Sequence, residues 1–563
     1  MSETPVYRAI ANAFAAEGVD TQFVLLGDGN MHWSIAFDEL GGTQSVHVRH
    51  EHCAVAAATA YALATGHVGV ASVTCGPGLS QITTALPAAV RAGIPLVVFA
   101  GESPMHAKFY NQAIDQAPLV TATGARYIAA HSAKRMSVAI REAFHSARID
   151  RCPVVLGVPY DLQKQPAHAG EPYVPIGDHM PDGGRPQPDP RQLERVRDLL
   201  LTARAPVLIG GRGALRSQAA DAISELAAEA GALLANTLPV RGLFDDDAYS
   251  LGVAGGYASD LAREMFAEVD LVIAFGASLT YYTKDGGNLF PAAQTVAVDL
   301  APTSLKDGMA TADVFLTCDA RAGAVALKDA IKSARSEGES PQSHVRTPAL
   351  AERLRTEVAD SAEFEIADGQ VDPRAAVFAI DAVVPKSWDF VTGSGHQAYY
   401  NSQIRGRPAD RFFTVREFGA IGNGLSYALG VAAARRRGAA SELVLIEGDG
   451  GLLMHIQELE TLKRLSQRIL ICVLNDGAYG SEIHKLMAEG IDDSLARFGR
   501  PPFHEIARGF GLRGAEITDL GQIPSLFEAF AAQDTSEVWN IQISDRVTAP
   551  TMRKAIARGH GNM

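Results

Sequence analysis

The chain has 563 residues, 47% of them apolar and 20% charged, which is enough to bury several globular cores and too long for one ordinary domain. Its formal charge of −14 argues against non-specific nucleic-acid binding, which needs a basic face to displace counterions, so no nucleic-acid partner is expected. Cys53, Cys75, Cys152, Cys318 and Cys472 fall at no metal-ligand spacing, and no apolar run reaches membrane-spanning length. Residues 1–18 carry no charged-then-apolar leader pattern, so a cytoplasmic protein without a membrane partner is expected.

Short β-branched runs alternate with Ala-rich helical stretches, the rhythm of parallel sheets covered by helices. Strands are predicted at 23–26, 45–48, 69–73, 96–100 and 154–158. A Pro-, Gly- and His-rich stretch at 163–190 reads as a linker. Strands follow at 206–209, 271–275 and 295–298, then a polar connector at 333–347. The last third repeats the rhythm with strands at 388–391, 442–446, 469–474 and 538–543. The fold class is α/β, with three doubly wound parallel-sheet domains at 1–165, 190–335 and 350–545, and a tail at 546–563.

The most specific signal runs from Leu443 to Gly480. An apolar strand leads into Glu447-Gly448-Asp449-Gly450-Gly451. A helix is predicted next, from Leu453, Ile456, Leu459 and Leu462 at helical spacing, then a second strand and Asn475-Asp476-Gly477-Ala478-Tyr479-Gly480. Strands joined by one helical crossover commonly lie side by side, which would bring Asp449 and Asp476 to one carboxyl edge of a sheet. Two carboxylates and a loop carbonyl are hard oxygen ligands suited to Mg²⁺, and the glycines let a backbone approach an anion. Taken singly, Gly-Asp-Gly and Asn-Asp-Gly are ordinary turns.

As a pair, with Asp476 lying 27 residues after Asp449, they resemble the signature of thiamine diphosphate (ThDP)-dependent enzymes. The resemblance implies Asp449, Asp476 and the Ala478 carbonyl as metal ligands, although most members of that family carry Asn where Asp476 stands. It covers almost the whole chain, in the order pyrimidine-binding, central and diphosphate-binding domain, and is strongest to the acetolactate synthase-like branch. ThDP needs a carboxyl group against its aminopyrimidine, and such a group works best desolvated. Glu51, ending the strand read in Ser45-Val-His-Val-Arg-His-Glu51 and opening a helix through 54–65, is similar to that residue. The remaining cofactor contacts implied are Gly76 in Thr74-Cys-Gly-Pro-Gly78, Ser394, Gly395 and His396, then Gly419 and Ile421, and finally Gly448, Gly450, Gly451, Tyr479 and Gly480.

On the substrate side, Gln112 resembles a glutamine near the family's reactive centre, and Glu482 stands where pyruvate decarboxylases place a glutamate. Against these stand plainer readings: a solvated helix-face glutamate, a helix-capping Glu51, a surface His396 and a core Ile421. Asp28 replaces a customary proline, so Asn30, Met31 and His32 are candidates for a different pocket. In the middle third, Val207-Leu-Ile-Gly-Gly-Arg-Gly213 fits FAD or an adenine nucleotide, or a domain that binds nothing. A lone Gly-Gly-x-Gly favours the latter. The expected activity is decarboxylation of a 2-keto acid and acyl-anion transfer to a carbonyl acceptor, in a homodimer or homotetramer. The alternatives are simple decarboxylation, or a flavin-linked 2-keto acid oxidoreductase.

Overall fold

The computed structural model describes residues 4–168, 172–180, 183–306, 308–335, 341–435 and 442–557. The predicted linker, connector and tail therefore lie partly outside the described residues. Buried Val, Ile and Leu runs need cover on both faces, and helices supply it. Three six-stranded sheets result, all parallel.

The first sheet comprises β1 (Thr21–Val24), β2 (Gln44–His47), β3 (Gly69–Val73), β4 (Leu96–Glu102), β5 (Arg126–Ala129) and β6 (Pro153–Pro159), in the order β2-β1-β3-β4-β6-β5. The second comprises β7 (Pro206–Gly210), β8 (Leu233–Asn236), β9 (Ser250–Val253), β10 (Leu271–Phe275), β11 (Gln294–Asp299) and β14 (Val314–Thr317). A small antiparallel pair, β12 (Leu305–Lys306) and β13 (Met309–Ala310), precedes β14. The second order, β14-β11-β10-β7-β8-β9, reverses direction beside β7, as in dinucleotide-binding folds.

The third sheet is β15 (Asp389–Thr392), β16 (Phe412–Phe413), β17 (Leu443–Gly448), β18 (Leu470–Asn475), β19 (Arg513–Ile517) and β20 (Glu537–Gln542). Its order, β16-β15-β17-β18-β20-β19, repeats that of the first sheet strand for strand. In both sheets the winding reverses beside the first strand, and loops at such a switch point form a crevice at the carboxyl edge. In the third sheet, that crevice lies between the turn after β15 and the turn after β17.

One apolar core joins the first and third sheets. The helix Glu51–Thr65 packs on the helix Gly424–Arg435, placing Val55 and Ala58 in the same cluster as Tyr427 and Val431. Gly430 allows this contact, since a methyl there would overlap the Ala57 carbonyl. The second sheet has separate cores of its own.

Two predictions need correction. The helix expected through Leu453–Leu462 is two pieces, Asp449–Met454 and Glu458–Arg464, broken at His455 (φ −136°, ψ 37°), whose Nδ1 bonds to the Gly422 carbonyl. Glu51 does not end a strand: β2 stops at His47, and Glu51 is the first residue of its helix.

Candidate cofactor site

Adjacency of β17 and β18, with Gly448 opposite Leu474, brings Asp449 and Asp476 to one edge. Asp449 is buried; its Oδ1 accepts from Gly450 N–H at 2.8 Å and its Oδ2 from Gly477 N–H at 2.7 Å. Asp476 Oδ1 accepts from Ala478 N–H at 3.1 Å. Desolvation pushes the Asp449 carboxyl up to about 6. Desolvation and then repulsion from Asp449 hold Asp476 well above the carboxylate range. Arg500, which the sequence reading missed, bonds to the Asn475 and Ile543 carbonyls and eases this repulsion from behind.

Two desolvated carboxylates that repel one another fit a bound divalent cation, which reverses the sign of that interaction. No group of three or more His, Cys, Asp or Glu side chains gathers as a metal site among the described residues, so a cation held by this pair would need main-chain or ligand oxygen as well.

The switch-point turn after β15 carries the next candidates. Ser394 is 4% exposed and its Oγ finds no partner among the described residues, as expected of a hydroxyl awaiting a ligand oxygen. Gly395 has φ +144°, and a methyl there would overlap the Gln397 amide. His396 is no surface loop histidine. Burial pushes it down to about 3, its Nε2 accepts from Ala549 N–H at 2.9 Å, and its ring lies 4.8 Å from that of His484. With Nε2 accepting, a neutral ring carries its proton on Nδ1, which faces Gly480.

Gly450 is constrained by the Tyr479 and Phe498 rings, whose centroids are 5.2 Å apart. Gly448 N–H and the Gln397 amide bond to the Glu447 carboxyl, and Gly451 lies beside it. Gly480 begins the helix Gly480–Ala488, on which Glu482 is exposed, 3.7 Å from Lys485. Gly419 has φ +73°, and both it and the half-buried Ile421 lie on the loop leading into the Gly424–Arg435 helix.

At the first sheet's carboxyl edge, the turns after β1 and β3 meet: Gly29 N–H bonds Thr74 Oγ1 at 3.0 Å. Asn30 is a buried structural residue, its amide tied to Gly27 N–H, the Leu25 carbonyl and Ser72, and not a pocket residue. Gly76 (φ +58°) donates to Gln116 Oε1 at 3.0 Å and is in contact with the Gln112 backbone. The Gln112 side-chain oxygen accepts from Tyr110 Oη at 3.3 Å and Cys75 Sγ at 3.4 Å. Glu51 faces Gly78, and burial raises its carboxyl. Next to it, His52 bonds to Asn423, two residues beyond Ile421, so the two candidate halves are held in register.

In the second sheet, the Gly210–Gly213 turn is filled by the chain itself. Gly210 abuts Leu243 and Phe244, while Gly211 and Gly213 pack against the backbone at Gly276.

Two α/β units of identical winding, one offering a desolvated glutamate and the other a paired-carboxylate crevice with an orphaned hydroxyl, have the chemistry to hold an anionic cofactor between them. Comparison with known families names the class. The thiamine pyrophosphate enzyme models match at residues 5–119 (N-terminal TPP binding domain), 193–327 (central domain) and 393–540 (C-terminal TPP binding domain), and the chain belongs to that family. It is similar to the acetolactate synthase large subunit of Parasynechococcus marenigrum (strain WH8102), 28% identical over 533 residues covering 91% of this chain and 83% of the relative. Similar too are the acetolactate synthase isozyme 2 large subunit of Escherichia coli (strain K12), 26% identical over 95% of each chain, and acetolactate synthase 2, chloroplastic, of Nicotiana tabacum. The tobacco relative is 27% identical, over 84% of this chain and 70% of its own.

Proposed function

We propose that this chain is a ThDP- and Mg²⁺-dependent carboligase that decarboxylates a 2-keto acid and passes the acyl anion to a carbonyl acceptor. The observation that carries the reading is the pair of mutually repelling, desolvated carboxylates, Asp449 and Asp476, just past the adjacent ends of β17 and β18, with Asp449 bordering the third sheet's switch point. The acetolactate synthase relatives support the substrate class.

When bound, ThDP would supply an electron sink for negative charge on the former keto carbon, which makes it an acyl-anion equivalent. In this reading Asp449, Asp476 and the Ala478 carbonyl hold Mg²⁺, with Ser394, Gly395, His396, Gly448, Gly450, Gly451, Tyr479 and Gly480 around the diphosphate. Gly419 and Ile421 support the aminopyrimidine edge. Glu51, its carboxyl raised by burial, is the group that holds and passes the proton in this reading. Gln112 is the substrate-side donor, its oxygen already engaged by Tyr110 and Cys75. Glu482 is the residue at which simple decarboxylation by protonation would be favoured over transfer.

The working form is a homodimer or homotetramer in the cytoplasm. Support comes from apolar side chains left uncovered beside both half-sites: Phe109 at 81% exposure on one side, Met454 and Tyr479 on the other. No helix among the described residues is long and apolar enough to cross a membrane.

The test is incubation of the purified protein with ThDP, Mg²⁺ and a panel of 2-keto acids, with and without aldehyde acceptors. Ligated 2-hydroxyketones are expected. Release of free aldehyde alone would shift the reading to simple decarboxylation, and a yellow protein transferring electrons to the flavin-linked alternative. No turnover of any 2-keto acid would overturn it.

A further inference from the structure

Glu447 stands where the strand pattern calls for an apolar side chain. Along β17, Leu443 and Leu445 face the core shared with the first sheet, while Val444 and Ile446 face the opposite one. Side chains alternate along a strand, so Glu447 continues the Leu443–Leu445 face. It is 1% exposed, and the charge that acts on it, Arg416, only weakly offsets its desolvation. Burying a carboxyl at such a position costs stability unless its oxygens are hydrogen-bonded.

Its oxygens meet the loops that surround the candidate diphosphate site. Oε1 accepts from the Gln397 amide at 3.0 Å, on the turn after β15, and from Gly448 N–H at 3.1 Å, on the turn after β17. Oε2 lies against Gly393 on the first of these turns and against Gly424, where the loop carrying Gly419 and Ile421 enters its helix. At Gly393 and Gly424 a methyl would overlap the carboxyl, and at Gly451 it would come within 2.8 Å. The glycines of three separate loops are thus small at the places where they close around one side chain.

We propose that Glu447 is a positioning residue for cofactor binding: its carboxyl ties the turns after β15 and β17 to the start of the Gly424–Arg435 helix, setting the width of the crevice. This rests on the ThDP reading above. The residue touches none of the reacting atoms. It acts through Ser394, Gly395 and Gly448, whose spacing decides whether diphosphate oxygens reach hydrogen-bonding distance.

The experiment is calorimetric titration of ThDP in saturating Mg²⁺ into wild type, Glu447→Gln and Glu447→Leu, with thermal midpoints of the cofactor-free proteins measured alongside. Glu447→Gln keeps an acceptor oxygen of the same shape and should retain affinity within about threefold. Glu447→Leu suits the strand and should keep or raise the midpoint, while weakening ThDP at least tenfold. Wild-type affinity in Glu447→Leu overturns the proposal, as does equal weakening in Glu447→Gln. If Glu447→Leu does not fold, Gln397→Leu removes the same link from the loop side. Unchanged affinity there overturns it, and a tenfold loss with an unchanged thermal midpoint supports it. A wild-type chain that binds no ThDP overturns the cofactor reading together with this one.

Discussion

Glu51 opens its helix facing Gly78, with a carboxyl that burial holds above the ordinary glutamate range. A glutamine is the same size and cannot give up a proton. Glu51→Gln should therefore keep the fold and bind ThDP while losing turnover by about 10²–10⁴-fold, the usual contribution of an acid–base step. Retention of more than a tenth of wild-type activity would remove Glu51 from that role. In the proposed reading Asp449 and Asp476 act on binding instead. Replacing either by Ala takes away half of a cation's protein charge, so ThDP affinity should fall in both variants and lose its dependence on Mg²⁺. Titration calorimetry with and without chelator measures this, and unchanged affinity in both would sink the metal assignment.

The Glu51–Thr65 helix is where element and acidity meet. His52 in its first turn is buried and bonded to Asn423, and desolvation lowers it from 6.5 to about 4. Between those values the unfolded chain binds a proton that the folded chain refuses, so stability falls as pH drops from about 6.5 towards 4. One such group contributes a slope of about 1.4 kcal/mol per pH unit in that window. His52→Gln should flatten urea-unfolding stability against pH by about one proton, and an unaltered slope would show that His52 does not titrate this way.

At this same scale the sequence was legible where strands are central and apolar. The runs at β3, β4, β10, β17 and β18 are buried on both faces and read as such. Edge strands hid. Arg126–Ala129 and Arg513–Ile517 carry charged, half-exposed side chains, and Phe412–Phe413 is two residues long, so none shows a buried-strand pattern. Paired carboxylates on neighbouring strands were legible because one crossover fixes their adjacency. The His396–Ala549 bond, the Arg500 contacts and the Glu447 hub were not, since each joins residues far apart in the chain.

Across the molecule, Glu51 and Asp449 open helices that follow strands of different sheets, each near a carboxyl edge bordered by uncovered apolar side chains. If each working site takes one edge from each of two chains, two dead variants should rescue one another. Mixing Glu51→Gln with Asp449→Ala under conditions of verified subunit exchange should restore activity at heterodimer sites that hold both wild-type halves. Silence after verified exchange, or an active monomer in sedimentation, would refute sharing.

The core common to the first and third sheets also governs how the chain comes apart. The Glu51–Thr65 and Gly424–Arg435 helices pack on each other across more than 350 residues of sequence, whereas the middle sheet closes its own cores. Cooperative opening follows shared burial and not chain order. In native-state hydrogen exchange, amides of β3 and β17 should therefore exchange together with one opening free energy, and those of β7 and β10 with another. The sequence's two ends would thus behave as one foldon and its middle as a guest inserted between them. Exchange that instead separates β3 from β17 would show that the two outer sheets melt independently.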